Sequence, residues 1–246
     1  MKRVVRKLVN PRSIRLWMRS LRIPLTLVGG VKINSHRIHS QWIVDSLIKG
    51  YYESDEARSL NDLIQPDDRI LELGSGLGYV ACLAAKKAHR GQVLSFEANP
   101  KMVELAKETV QLNSIDNVEI RNGILALDEG TRKFYVSEHF WESSLEPNSN
   151  WNEISVPAES IKATLESFCP NVLLVDIEGG EYELFKTPFW NLNGVLKKMS
   201  IEFHKCDNPH EVFSELNFTG WEPNRNLYEV QDALCKGHQT VTFTRP

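Results

Sequence analysis

From residue 69 onward, short apolar runs alternate with segments whose apolar positions recur every three to four residues, which predicts strands and helices in turn. Residues 69–73, 92–96 and 118–121 are the first predicted strands. Residues 171–175, Asn-Val-Leu-Leu-Val, are so uniformly apolar that they predict a strand buried on both faces. Residues 198–203 predict another, and residues 240–244 a closing edge strand. Residues 77–88, rich in Ala and Leu, and residues 100–113, with Pro in the first turn, predict helices. Such alternation folds as a doubly wound, mostly parallel α/β sheet. A different texture interrupts it: residues 124–127, a turn at Asp128-Glu129-Gly130-Thr131, and residues 133–136 predict an inserted β-hairpin. There is no internal repeat and no low-complexity tract.

The first residues differ in character, and charge shows it. Of the 29 Lys and Arg residues, ten precede Asp45, and no acid does; the other 19 stand against 32 acids. We therefore divide the chain into a basic amphipathic arm, residues 1–45, and a main domain, residues 46–246. Residues 1–22 mix Arg and Lys with Val4, Leu8, Ile14, Leu16, Trp17 and Leu21, and Pro11 splits them into two short stretches. Bases interrupt every apolar run and no small-residue cleavage site follows, unlike a signal peptide. The arm suits either a peripheral anchor drawn to anionic lipid or, in the favoured reading, a helix packed on the domain's own core. No uncharged run is long enough for a membrane span. Cys82, Cys169, Cys206 and Cys235 form no C-x-x-C pair, as expected of reduced thiols in a cytoplasmic protein, possible membrane-surface contact aside. An acidic body is also a poor partner for nucleic acid.

Candidate chemistry begins at the end of the first strand. Glu72 precedes Gly74-Ser75-Gly76-Leu77-Gly78, a spacing of G-x-G-x-G rather than the G-x-G-x-x-G of dinucleotide turns. Glycines allow a tight strand-to-helix turn and close approach to a ligand, and the following helix aims its positive end there. S-adenosylmethionine has no pyrophosphate and suits this shorter loop. Glu97, at the end of the next predicted strand, is placed to accept hydrogen bonds from both ribose hydroxyls, with Ala98 beside it. Asn122, after the third strand, offers a donor and an acceptor to adenine, though it is equally a turn former. The cofactor set is thus Glu72, Gly74, Ser75, Gly76, Gly78, Glu97, Ala98, Asn122 and Asp176.

Three runs together resemble the FkbM family of methyltransferases: Glu72-Leu73-Gly74-Ser75-Gly76-Leu77-Gly78, Phe96-Glu97-Ala98-Asn99-Pro100 and Val175-Asp176-Ile177-Glu178-Gly179-Gly180-Glu181. Gly50-Tyr51-Tyr52-Glu53, Gly130 with Phe134-Tyr135-Val136, and Ser143-Ser144 add to the likeness, which covers residues 50–204. The resemblance implies a class I, Rossmann-like methyltransferase fold with a seven-stranded sheet. It also implies methylation of a hydroxyl on a sugar, glycolipid or natural product. The chain departs from the family's pattern at Glu72, Ser75-Gly76 and Leu174, where Asp, Ala-Asn and Lys are common; the last removes a cation from the reacting end.

Asp176 ends a buried strand, where open α/β sheets bind ligands, and Glu178 and Glu181 follow on a glycine turn. Strand alternation puts Glu202 and His204 on one face and Ile201 and Phe203 on the other. Asp176, Glu178, Glu202 and His204 are therefore the catalytic candidates, with His204 the general base and Asp176 or Glu202 its orienting partner. A divalent metal on the same groups is a less favoured alternative. Phe134, Tyr135, His139, Phe140, Trp141, Ser143 and Ser144 offer stacking faces and hydroxyls to a glycan or small-molecule acceptor, and Tyr52 and Glu53 are placed to close over it. Nucleic-acid or amine methylation is the alternative activity, and a non-catalytic cofactor-binding module the alternative class.

Overall fold

In the computed structural model, residues 11–137, 150–186, 190 and 195–245 are described. The apolar run Val172–Val175 (β9) lies at the centre of a seven-stranded sheet, hydrogen-bonded to Arg69–Leu73 (β3) and Lys198–Phe203 (β10). Gln92–Glu97 (β4) and Val118–Asn122 (β5) extend the sheet beyond β3, all parallel. On the other side, Gln239–Thr244 (β12) runs antiparallel to β10 and carries the two-residue strand Glu222–Pro223 (β11) on its outer edge. The full order is β11-β12-β10-β9-β3-β4-β5. The expected closing strand is thus internal, because the short β11 covers its edge.

Period-two alternation divides the sheet's apolar residues between two cores. Ile70, Val93, Val172 and Leu174 face one side, which is packed by Gln41–Lys49 (α2), Ser54–Leu63 (α3), Tyr79–Lys87 (α4) and Pro100–Leu112 (α5). Leu71, Leu73, Leu94, Phe96, Leu173 and Val175 face the other, packed by Ile161–Phe168 (α6), Glu181–Lys186 (α7), Pro209–Ser214 (α8) and Leu227–Leu234 (α9). Asn99 caps α5, accepting from the Lys101 amide at 3.1 Å, with Pro100 at the first position.

Two expectations need correction. Ile124–Ala126 (β6) and Gly130–Val136 (β7) do not pair with each other. Asn152–Ser160 (β8) lies between them, parallel to β6 and antiparallel to β7. Ile124 and Gly130 both stand opposite Ala158, on its two edges, so the turn after β6 carries the chain across the end of β8. The second correction concerns the boundary at residue 45. Leu25–Thr26 (β1) and Lys32–Ile33 (β2) form a small antiparallel pair, and Leu25, Leu27, Val31, Ile33 and Ile38 are buried in the core beside α2 to α5. Asn113 fastens this segment to the end of α5: its side chain accepts from the Lys32 amide at 2.9 Å and donates to the Lys32 carbonyl at 2.8 Å. Among the described residues, only Pro11–Ser20 (α1) keeps the character of an arm, and it lies against α2.

If residues 25–38 belong to the core, truncating Ile33 leaves a cavity in it. Ile33→Ala is expected to cost about 2–5 kcal/mol in urea unfolding. A change near zero would mean that the segment is a detachable arm.

Candidate active site

The carboxyl ends of β3, β4 and β9 open into a cavity of about 910 Å³, within the ~300–1,000 Å³ of pockets that enclose small molecules. Gly74, Gly76 and Gly78 have φ of 94°, 49° and 75°, the left-handed region in which glycine is favoured. At Gly74 the constraint is absolute: a Cβ would lie 1.7 Å from the Asp176 carbonyl oxygen. Gly76 faces the cavity, and its amide donates to Glu97 Oε2 at 3.0 Å, while Glu97 Oε1 accepts from the Asn99 amide at 2.8 Å. Glu97 and Ala98 line the cavity. S-adenosylmethionine fits this end: a side-chain-free glycine loop with Glu53 and Tyr52 standing over Gly76, a carboxylate for hydroxyls and the helix α4 beyond.

Other members of the expected cofactor set stand behind the loop. Glu72 is buried under it on the opposite side of β3, where Ser95 donates to its carboxylate and Ser75 bonds to Ser95 in turn. Glu72 lines a small cleft of about 30 Å³ with Glu56 and Glu202 rather than the main cavity. Gly78 packs on α5, where a Cβ would lie 2.9 Å from Ala106 Cα. Asn122 spends both amide hydrogens on the carbonyls of Glu97 and Ala98, at 2.9 and 3.0 Å; Gly123, its neighbour, is what lines the cavity. Glu72, Ser75, Gly78 and Asn122 therefore shape the cofactor seat without facing it.

The reacting end gathers Asp176, Glu178, Glu202 and His204 around the same cavity. The partner that orients His204 is neither Asp176 nor Glu202. Glu181, fully buried in the first turn of α7, accepts from His204 Nδ1 at 2.8 Å and from the Ile177 amide at 3.2 Å. The next residue, Tyr182, donates its hydroxyl to the His204 carbonyl, so adjacent residues of α7 hold both backbone and ring. Nε2 of His204 then faces Glu178 Oε2 at 3.2 Å and Asp176 Oδ1 at 3.6 Å. Glu178 adopts φ 53°, the left-handed conformation that turns the chain back toward His204. Glu202 is instead paired with His238, 3.4 Å away, and hydrogen-bonded to Glu56.

Burial sets the charges. It pulls the His204 pKa down, but Glu181, Asp176 and Glu178 outweigh it and hold the imidazole at about 9. Burial lifts Asp176 to about 6 against the pull of His204, Glu97 to about 7, Glu72 to about 8, and Glu202, beside Asp176 and Glu56, to about 11. Glu53 is also held well above the usual carboxylate range by burial. Asp176, Glu178 and His204 each place one ligand atom within 4.8 Å of the others, a set that fits a divalent cation.

Around the rim, Tyr52, Glu53 and Phe134 line the cavity; Tyr135 points away and pairs with Glu153. His139, Phe140, Trp141, Ser143 and Ser144 lie outside the described residues. The sequence reading missed Glu56, Trp42 and His238 as lining residues, because elements far apart in the chain bring them together. Glu181 carried a signal, an acid four residues after Ile177 in a turn opening a helix.

Comparison with known proteins bears on the first half of this site. Residues 54–130 match the family model described as protein-L-isoaspartate(D-aspartate) O-methyltransferase. Curated relatives include ribosomal protein L11 methyltransferase of Thermotoga neapolitana, 36% identical over 78 residues, 32% of this chain and 29% of that protein. Another is protein-L-isoaspartate O-methyltransferase of Protochlamydia amoebophila, 40% identical over 60 residues, 24% of this chain and 28% of that one. A similar solved structure is precorrin-6y C5,15-methyltransferase of Geobacter metallireducens, 13% identical over 78% of this chain and 88% of that chain, with TM-score 0.48. The chain carries a class I methyltransferase fold. It spans less than a third of the length of the curated relatives it matches. The matched residues hold the glycine loop and Glu97 and end before Asp176.

Glu97 links cofactor binding to pH. Hydroxyls donating to it and a positive sulfonium nearby both favour its ionised form, so binding releases a proton wherever Glu97 begins protonated. Affinity for S-adenosylmethionine should rise as pH climbs through about 7 and weaken below it, approaching about tenfold per pH unit. Calorimetry in buffers of different ionisation enthalpy measures this directly, and pH-independent binding would contradict it.

Proposed function

We propose that this protein is an S-adenosylmethionine-dependent methyltransferase that acts on a hydroxyl of a neutral, hydroxyl-rich acceptor such as a sugar or glycolipid. The observation that carries the proposal is His204, oriented by buried Glu181 with Nε2 turned into the cavity that also holds Gly76 and Glu97. When bound, the cofactor would supply an electrophilic methyl group, its sulfur–methyl bond breaking to leave a neutral thioether. Neutral His204 takes the acceptor hydroxyl's proton at Nε2 as the oxygen–methyl bond forms. Glu181 accepts from Nδ1 throughout and stabilises the resulting imidazolium. Asp176 and Glu178, on either side of Nε2, are positioned to accept from hydroxyls of the acceptor.

The lining supports the acceptor class. Eight carboxyl groups, Glu53, Glu56, Glu97, Asp128, Asp176, Glu178, Glu183 and Glu202, face the cavity with Arg132, His204 and His238; burial holds Glu53 and Glu202 toward their neutral forms, and the other six still outnumber the three bases. Such a wall repels phosphates, which disfavours nucleic acid, and repels a carboxylate acceptor of the kind named by the isoaspartate family model. Hydroxyls donate readily to carboxylates, and Trp42 and Tyr51 offer ring faces to a sugar's apolar surface. The resemblance of residues 175–181 to FkbM methyltransferases supports hydroxyl methylation as well. One observation favours a second acceptor: the same acids would hold an ammonium, so an amine is the competing substrate.

A methyl-transfer screen against glycans, glycolipids, amines and carboxylates tests the assignment, and transfer to amines alone would replace it. For turnover, the sign follows from His204: below about 9 it is imidazolium, so the base form and the rate increase as pH rises toward about 9. His204→Ala should lower kcat about 10²–10⁴-fold. Glu181→Gln removes the carboxylate that favours imidazolium, and should move the rise of the kcat profile to lower pH. An unchanged profile in both variants would remove His204 from the reaction. With a proton rather than a metal between these groups, a chelator should leave turnover unchanged; loss restored by a divalent cation would assign the metal instead.

A further inference from the structure

Helix α1 is mounted in an unusual way. In an amphipathic helix on a protein surface, apolar residues normally face the core and charges face water. Here Arg15 donates to the Leu47 carbonyl at 2.5 Å and Arg19 to the Ile38 carbonyl at 2.9 Å, so both guanidinium groups are turned inward. Met18, between them on the same face, packs against the core. Elsewhere on its circumference the helix leaves Ile14, Trp17 and Leu21, at helical spacing, 42%, 61% and 52% exposed, while Leu16 is 48% exposed on a separate side. Ile23 and Val28, in the segment that follows, are also exposed.

We propose that this face seats the protein on an anionic phospholipid surface. Charge selects that occupant. The stripe lies in a stretch with ten Lys and Arg and no acid before Asp45, and Arg12 and Arg22 at its two ends are exposed. A second copy of the face would set Arg12 and Arg22 against their own like charges. A bilayer of anionic lipid satisfies both parts: apolar side chains enter the interface while bases meet headgroups. Trp17 is suited to that depth, with an apolar ring and one polar N–H. Among the described residues no helix is long and apolar enough to cross a membrane, so the contact is peripheral. α1 lies along α2, the helix that carries Trp42 of the cavity rim. The proposal stands independently of which acceptor the cavity takes.

The test is sedimentation of the full chain with phosphatidylcholine vesicles, with and without phosphatidylglycerol. Partitioning is expected on the anionic vesicles, and salt should reverse it. Trp17→Glu with Leu21→Glu should reduce it about tenfold or more, with thermal unfolding and S-adenosylmethionine binding retained because both side chains are exposed. Arg22→Glu, which leaves the stripe intact, should weaken it about fivefold or more on anionic vesicles. Equal partitioning of native and doubly substituted protein would overturn the proposal. So would light scattering that shows a dimer dissolved by the double substitution, since the face would then belong to a second copy. Failure of cofactor binding in the native protein would count against the proposed function alone.

Discussion

The arrangement of the site depends on a backbone crossing. The Asp176 amide donates to the Leu73 carbonyl at 2.9 Å, and the Gly74 amide donates to the Phe96 carbonyl at 2.9 Å. The turns leaving β9 and β3 are therefore tied across the ends of three adjacent parallel strands. They pass so closely that position 74 has no room for a side chain. The glycine loop and Asp176 are consequently held at a separation set by main-chain contacts rather than by flexible side chains. Catalytic alignment requires small tolerances, and a fixed crossing is a rigid way to meet them. The same crossing explains why both ends of the chemistry lie at the carboxyl edge of the sheet, where doubly wound folds bind ligands.

Electrostatics then decides what that edge can receive. Burial raises Glu53, Glu72, Glu97, Asp176 and Glu202 together, so the free protein relieves their mutual repulsion by keeping protons on several of them. A cluster in this state prefers any ligand that brings positive charge or hydrogen-bond donors, because either lets the acids ionise without repelling each other. His204 is the built-in cation of the group, and Glu181 keeps it in place from behind. The fold accommodates Glu181 in its interior because it has a histidine partner, and Glu202 because burial keeps it protonated, hydrogen-bonded to Glu56.

The central sheet was legible because its strands are apolar on both faces and its helices carry caps and breaks in the sequence. β8 was not: its buried apolar positions are Val156 and Ala158, with Pro157 between them, and its pairing begins only at Val136↔Asn152, across a long intervening segment. Residues 25–38 were grouped with the arm because their charge matched it, although their apolar residues pack in the core. In the site, Gly74, Gly76, Glu97, Asp176 and His204 were legible from position at strand ends. Glu72 and Asn122 were misassigned for one reason: sequence places a residue near a turn, but only the side-chain direction decides whether it faces the ligand or supports the loop.

A division of labour follows from where the family model matches. Residues 54–130 hold the glycine loop, the strand-end acid Glu97 and the close helix packing at Gly78. Asp176, Glu178, Glu181, Glu202 and His204 all lie beyond that segment, on α7, the ends of β9 and β10 and the turns between them. Here the chemistry answers to the acceptor, so local likeness to one family cannot transmit that family's substrate. The acidic wall makes the point physically: it suits the positive cofactor at one end of the cavity and repels an anionic acceptor at the other.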